Sequence, residues 1–171
     1  MTNSLLNFIF ILFFAYICLL FQSTLLHQFF GIYKPNMFVI VIAYLALNRF
    51  AIEGGFIALI LGYFLDLNSG APFGFYQAVL ILTFYGAKIL NEALLVHSTF
   101  AEMGFVALVG ILFKLCYLGV FSIYEPIFDL LFSTFLTVCS MVFLNFLLTP
   151  LVFGGLKGLD QFLGKDSPSE M

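Results

Sequence analysis

Two ionisable residues stand inside otherwise apolar runs of this 171-residue chain: Asp66 and Lys114. A charge placed in hydrocarbon is costly and normally has a partner or a task. On a helix, Gly55, Ala58, Gly62 and Asp66 fall within an arc of about 80°. Ala107, Gly110, Lys114 and Tyr117 share a face of about the same width. Small residues therefore lead to a charge on both segments, a pattern that lets one helix approach another closely. Asp66 lies fifteen residues past Ala51 (66 − 51), and Lys114 fifteen past Thr99 (114 − 99). At the helical rise both sit about 22 Å from one membrane surface. Opposite charges at one depth predict an ion pair between Asp66 and Lys114. The alternative is that Lys114 reaches out to the headgroups while Asp66 caps the turn that follows it. A third polar face carries Asp129, Ser133, Thr137 and Ser140. With the two charges it concentrates polarity in one half of a bundle, as helix-to-helix hydrogen bonding or as a small ligand cavity.

Other chemistry finds no footing. Cys18, Cys116 and Cys139 are single cysteines in apolar runs, with neither a Cys-x-x-Cys pair nor a nearby histidine, so they read as small buried hydrophobes. His27 and His97 sit near segment ends, far apart, and read as interfacial. No Gly-x-Ser-x-Gly, His-Glu-x-x-His or phosphate-cradling loop is present, and Gly54-Gly55 lacks the strand and spacing of a nucleotide fingerprint. Neither an enzyme nor a metal or cofactor site is expected. The net charge of −3 comes without any basic run suited to nucleic acid or anionic lipid.

The elements that must position these groups are membrane helices. Hydrophobic residues make up 63% of the chain and charged ones 9%, against about a quarter charged in soluble domains. Mean hydropathy is +1.15. The chain therefore reads as an all-α, multi-pass bundle of about six transmembrane helices of about 20 residues. A retained first helix spans about Ser4 to Thr24, and the second runs from about Asn36 to Asn48 with Pro35 at its first turn. The third begins near Ala51, with Glu53 complementing its dipole, and ends at Asp66 before the helix breakers of LNSGAPFG. The fourth runs from about Phe75 to Ile89, before a polar connection that reads as part surface helix. The fifth runs from about Thr99 to Phe121. The sixth runs from Pro126 to about Phe153, with Pro150 bending or ending it. Residues 1–156 form one transmembrane domain, Gly154 begins a polar stretch, and 157–171 are a short cytoplasmic tail. Placing both termini in the cytoplasm gives that side Arg49, Lys88, Lys157 and Lys165 and leaves Lys34 outside, as the positive-inside rule prefers. Tyr33, Tyr76 and Tyr124 would then form the outer aromatic belt.

Pro35-Asn36 followed by Gly55, Gly62, Asp66, Ser69, Gly70 and Gly74 resembles the pattern of the rod shape-determining protein MreD family. That family enters its second helix at Pro-Asp or Pro-Asn and reads Gly…Gly-x₃-Asp-x₂-Ser-Gly…Gly through the third helix and its turn. The likeness is clearest from Pro35 to Leu90, and Asn36 stands where Asp is frequent. The resemblance implies a non-catalytic scaffold subunit of the bacterial cell-elongation machinery, multi-pass in the inner membrane, supporting lateral peptidoglycan synthesis and rod shape. It implies a partner, the single-span MreC, and through it MreB filaments, the glycosyltransferase RodA and its transpeptidase. It also implies a six-helix fold like the substrate-binding subunit of energy-coupling-factor transporters. The rival reading follows from that likeness: a subunit binding a vitamin or metal ion in the polar half of the bundle. Against it, the first helix offers only Ala15 among Phe, Ile and Leu for docking a coupling partner.

Overall fold

The computed structural model describes residues 10, 11, 13–18, 20, 22, 35–94, 96, 98–123 and 131–162, the side chains of 131–136 excepted. Among these residues all regular structure is helical. An N-terminal segment is helical at residues 10, 11, 13–18 and 20. Five helices follow: α1 (Met37–Asn48), α2 (Ala51–Ser69), α3 (Phe75–Leu94), α4 (Thr99–Phe121) and α5 (Leu131–Phe162). Among the described residues three stretches are long and apolar enough to cross a membrane: Ala51–Ser69, Thr99–Phe121 and Thr137–Gln161. The described residues form a helical bundle of membrane character.

The bundle is built around α1. Every residue from Met37 to Ala46 is buried, so this helix is apolar all round because it has neighbours all round. Helices α2, α3, α4 and α5 all pack on it. Its 12 residues span about 18 Å, well short of the roughly 30 Å of a bilayer's apolar core. Both ends of α1 therefore stop inside protein, where unmet backbone groups would be expensive.

Side chains from other elements meet them. At the N-terminus Asn36 is the cap, its Oδ1 accepting the Phe38 N–H at 3.2 Å. The Met37 N–H donates to Gln22 Oε1 and the Asn36 N–H to Asn145 Oδ1, both at 2.9 Å. Pro35 therefore precedes the cap and does not occupy the first turn. Gln22, near the end of the N-terminal segment, thus serves the start of α1. At the C-terminus Lys88 Nζ donates to the carbonyls of Ala46 (3.0 Å) and Arg49 (2.7 Å), a cation where the helix dipole is negative.

Helices α2 and α3 form an antiparallel hairpin, and the small-residue stripe is its seam. A Cβ added at Gly62 would lie 2.5 Å from Gln77 Cα, and one at Gly55 would lie 2.8 Å from the Tyr85 hydroxyl. Seven residues back along α2 (62 − 55) match eight forward along α3 (85 − 77), the register of two antiparallel helices in contact. Ala58, between them, is fully buried. The stripe is thus used inside the molecule, where Gly admits the neighbouring backbone.

Helix bounds agree with the sequence reading for the segments starting at Ala51, Phe75 and Thr99, with two extensions: α2 runs three residues past Asp66, and α3 reaches Leu94. The larger correction is α5. It passes through Pro150 and continues to Phe162, so residues 154–162 are helix where a polar stretch was expected. A proline is tolerated in a membrane-type helix when neighbouring groups satisfy what it frees. The Thr149 hydroxyl donates to the Asn145 carbonyl at 2.7 Å beside it. The last turns are held from outside: Asp160 pairs with Arg49 and accepts from the Tyr44 hydroxyl, and Lys157 Nζ meets Glu102 Oε1 at 2.7 Å.

Candidate functional site

Asp66 is almost fully buried, at 4% exposure, three residues before the end of α2. Its Oδ1 accepts the Tyr76 N–H at 2.7 Å and its Oδ2 the Gly74 N–H at 3.0 Å. Both amides are orphan donors at the start of α3, so the carboxylate is a cap supplied by one helix to the next. Between them the chain turns through Gly70 (φ +68°) and Gly74 (φ +89°), left-handed conformations that favour glycine. Ser69 braces the turn, its Oγ accepting the Ala71 N–H at 3.3 Å. Gly62, one turn before Asp66, lets the first turn of α3 approach closely enough for the cap to form.

The predicted Asp66–Lys114 ion pair is therefore not formed. Two backbone amides occupy the carboxylate, and Lys114 lies instead with Nζ 4.9 Å from the centre of the Tyr117 ring. That ring belongs to an aromatic cluster: Phe75 stands edge-on at 5.2 Å, Tyr76 at 6.2 Å, and Phe121 stacks at 6.0 Å. Tyr76 thus turns toward α4 and away from the lipid belt foreseen for it. Of that helix's small residues, Gly110 faces inward, toward Val142 and Met141 of α5 and Val39 of α1.

Lys114 lines a cavity of about 310 Å³. Tyr76, Tyr117, Thr137 and Ser69 supply hydroxyl groups and Gln22, Asn36 and Asn68 amides, while Phe38, Leu65, Phe113 and Met141 supply apolar wall. Pro35 and Asn36 close it at the start of α1. Its floor is the end of the short central helix, which leaves a volume that a full-length helix would fill. Of the residues singled out from sequence, Pro35, Asn36, Ser69 and Lys114 meet at this cavity. Asp66, Gly62, Gly70 and Gly74 build the adjacent turn, and Gly55 lies at the far end of the α2–α3 seam. Thr137 belongs to the cavity, whereas Asp129 and the Ser133 side chain lie outside the described residues, as do Tyr33, Lys34, Tyr124 and both histidines.

Several polar residues have roles that the sequence reading did not assign. Asn145 is fully buried, one oxygen on the Asn36 amide, and its Nδ2 has no partner among the described residues. A single Asn in the run MVFLNFLLTP was the available signal. Arg49, 3% exposed, joins Asp160, Glu53 and Tyr44 at the opposite end of the bundle from the cavity. Cys139 is exposed, unlike Cys18, so it is not the buried hydrophobe expected.

No family model, no curated protein and no solved structure matches this chain.

Proposed function

We propose that the chain is a non-catalytic, multi-pass subunit of the bacterial cell-elongation complex, lying in the inner membrane with both termini cytoplasmic. The observation that supports the reading is what the motif residues do together. Asn36 caps α1, Gly62 seats α3, Asp66 caps α3 and Gly70 closes α2, all at one end of the bundle. Apart from Gly55, the residues that carry the likeness to the MreD family therefore act as one unit, which is what a family pattern specifying a fold should do. The basic residues Arg49, Lys88 and Lys157 gather at the opposite end, as a cytoplasmic face would require.

Because the small-residue stripe of α2 is spent on α3, a partner helix such as that of MreC would meet the outward aromatic face. Phe56, Tyr63 and Phe73 offer exposed rings there, of the kind that packs against a single membrane span. The test is affinity purification from native membranes in mild detergent, with mass spectrometry of what accompanies the protein. Recovery of MreC and wall-synthesis enzymes supports the reading, and reduced recovery after Tyr63→Ala and Phe56→Ala together supports the face. The cavity beside Lys114 favours a second reading, a solute-binding subunit of an energy-coupling-factor-type transporter. Recovery of a transmembrane coupling subunit with paired ATPases in the same experiment would replace the first reading with the second.

A further inference from the structure

We propose that the cavity at Lys114 binds a small anion, a carboxylate or phosphate carried on an apolar body. The inference is independent of which complex the protein joins. It begins from how the other cations among the described residues are satisfied. Arg49 has Asp160 and Glu53, Lys157 has Glu102, and Lys88 has the carbonyls of Ala46 and Arg49. Lys114 has only the face of Tyr117, with neither a carboxylate nor a carbonyl within reach among the described residues. Asp66, the acid expected from sequence to pair with it, is spent on backbone amides.

An ammonium in a membrane-spanning helix calls for a counter-ion, and this one borders a void. The void also holds neutral donors. Among the described residues the hydroxyls of Tyr76 and Tyr117 have no hydrogen-bond partner, and the two rings lie 6.2 Å apart beside the lysine. One cation with two phenolic O–H groups is a donor set for the oxygens of a carboxylate or phosphate. Two of the side-chain acceptors around them are engaged, Gln22 Oε1 by the Met37 amide and Asn36 Oδ1 by the Phe38 amide, which leaves Asn68 Oδ1 as an open amide oxygen. A cationic ligand would find few open oxygens, whereas an anion finds open donors. The remaining wall, Phe38, Leu65, Phe113 and Met141, is apolar. A volume of 310 Å³ equals about ten water molecules, at the small end of ligand sites. It admits a headgroup or a short anionic molecule and excludes a dinucleotide.

The anion has two possible sources, a lipid headgroup entering from the bilayer or a soluble anion entering from water. Thermal unfolding of the full-length protein in a neutral detergent separates them. Dioctanoyl phosphatidylglycerol serves as the lipid probe, dioctanoyl phosphatidylcholine as its zwitterionic counterpart of no net charge, and octanoate and inorganic phosphate as soluble probes. Saturable stabilisation by the glycerol lipid but not the choline lipid assigns the site to a headgroup. Saturable stabilisation by octanoate or phosphate assigns it to a soluble anion. In either case Lys114→Gln should raise the apparent Kd at least tenfold, and Tyr76→Phe with Tyr117→Phe should weaken binding several-fold. Lys157→Met, at the other end of the bundle, should leave the Kd unchanged. Should Lys114→Gln fold poorly, Lys114→Arg keeps the charge and should retain binding. The proposal is overturned if no probe stabilises saturably, or if Lys114→Gln binds as the wild type does.

Discussion

Removing Asp66 separates two accounts of the charges in this bundle. In the structure its carboxylate accepts two backbone N–H groups, at 2.7 and 3.0 Å, from a nearly buried position. Hydrogen bonds to a charged group are worth about 1.5–3 kcal/mol each, so losing both in Asp66→Ala should cost about 3–6 kcal/mol. Asp66→Asn keeps one acceptor oxygen and should cost about 1–2 kcal/mol. Lys114→Gln removes a membrane charge that no carboxylate offsets among the described residues, so in neutral detergent its effect should be near zero or stabilising. Because the two side chains share no bond, the double variant Asp66→Asn with Lys114→Gln should equal the sum of the singles within about 0.5 kcal/mol. A true buried ion pair behaves otherwise: breaking it from either side costs about 3–5 kcal/mol, and losing both partners restores much of that. The chain has eight Tyr and no Trp, so loss of helicity in mixed SDS micelles, followed by far-ultraviolet circular dichroism, is the suitable assay. A coupling above about 1 kcal/mol would refute the capping account and reinstate the pair.

Two further perturbations test the rest of the framework. Gly62→Ala places a Cβ 2.5 Å from the Gln77 backbone, which has no rotamer to escape into, so it should cost about 1–3 kcal/mol and loosen the Asp66 cap. Gly104→Ala, inside α4 with nothing within 4 Å, should instead stabilise by about 0.5–1 kcal/mol, and the same unfolding assay compares them. Asp160→Asn leaves the Arg49 guanidinium buried with less compensation and should cost about 3 kcal/mol, whereas Lys157→Met, 46% exposed, should cost under about 1 kcal/mol. Limited proteolysis reads that difference directly, since freeing Asp160 should expose the last turns of α5 to cleavage and freeing Lys157 should not.

What the sequence revealed and what it hid divide along one physical line. Helix starts at Ala51, Phe75 and Thr99 were readable because breakers and caps are local signals, as with Ser98 accepting the Ala101 amide. The small-residue stripe was readable because periodicity identifies a face. The partner of that face was not, since periodicity gives an azimuth on one helix and says nothing of which neighbour it meets. Depth arithmetic placed Asp66 and Lys114 at one level for the same reason without showing that Asp66 turns toward its own hairpin. Two amides eight and ten residues ahead outcompete a lysine on another helix, because closing a short turn costs little chain entropy. The end of α5 was misread because GGLKGLDQF has glycines and charges that suit a tail. Its order comes from Arg49, 111 residues away, a separation at which no local pattern reports.

The short central helix connects these observations. A 12-residue apolar segment cannot cross a bilayer, so its two ends fall at different depths inside the bundle and must each be met by protein. At the Arg49 end, Lys88 takes the last carbonyls and Asp160 the guanidinium, and the charges close on one another. At the Asn36 end, neutral amides from Gln22 and Asn145 satisfy the backbone, and beyond them stands a cavity bordered by one cation. The same shortfall in length thus yields a locked end and a hollow one. Lengthening α1 by a turn at its Asn36 end should fill the hollow while the Arg49 lock holds. If the cavity is packing error tolerated by the fold, that insertion should raise stability without consequence. If it is a binding site, the insertion should abolish saturable stabilisation by the anion probes even where the protein still unfolds cooperatively.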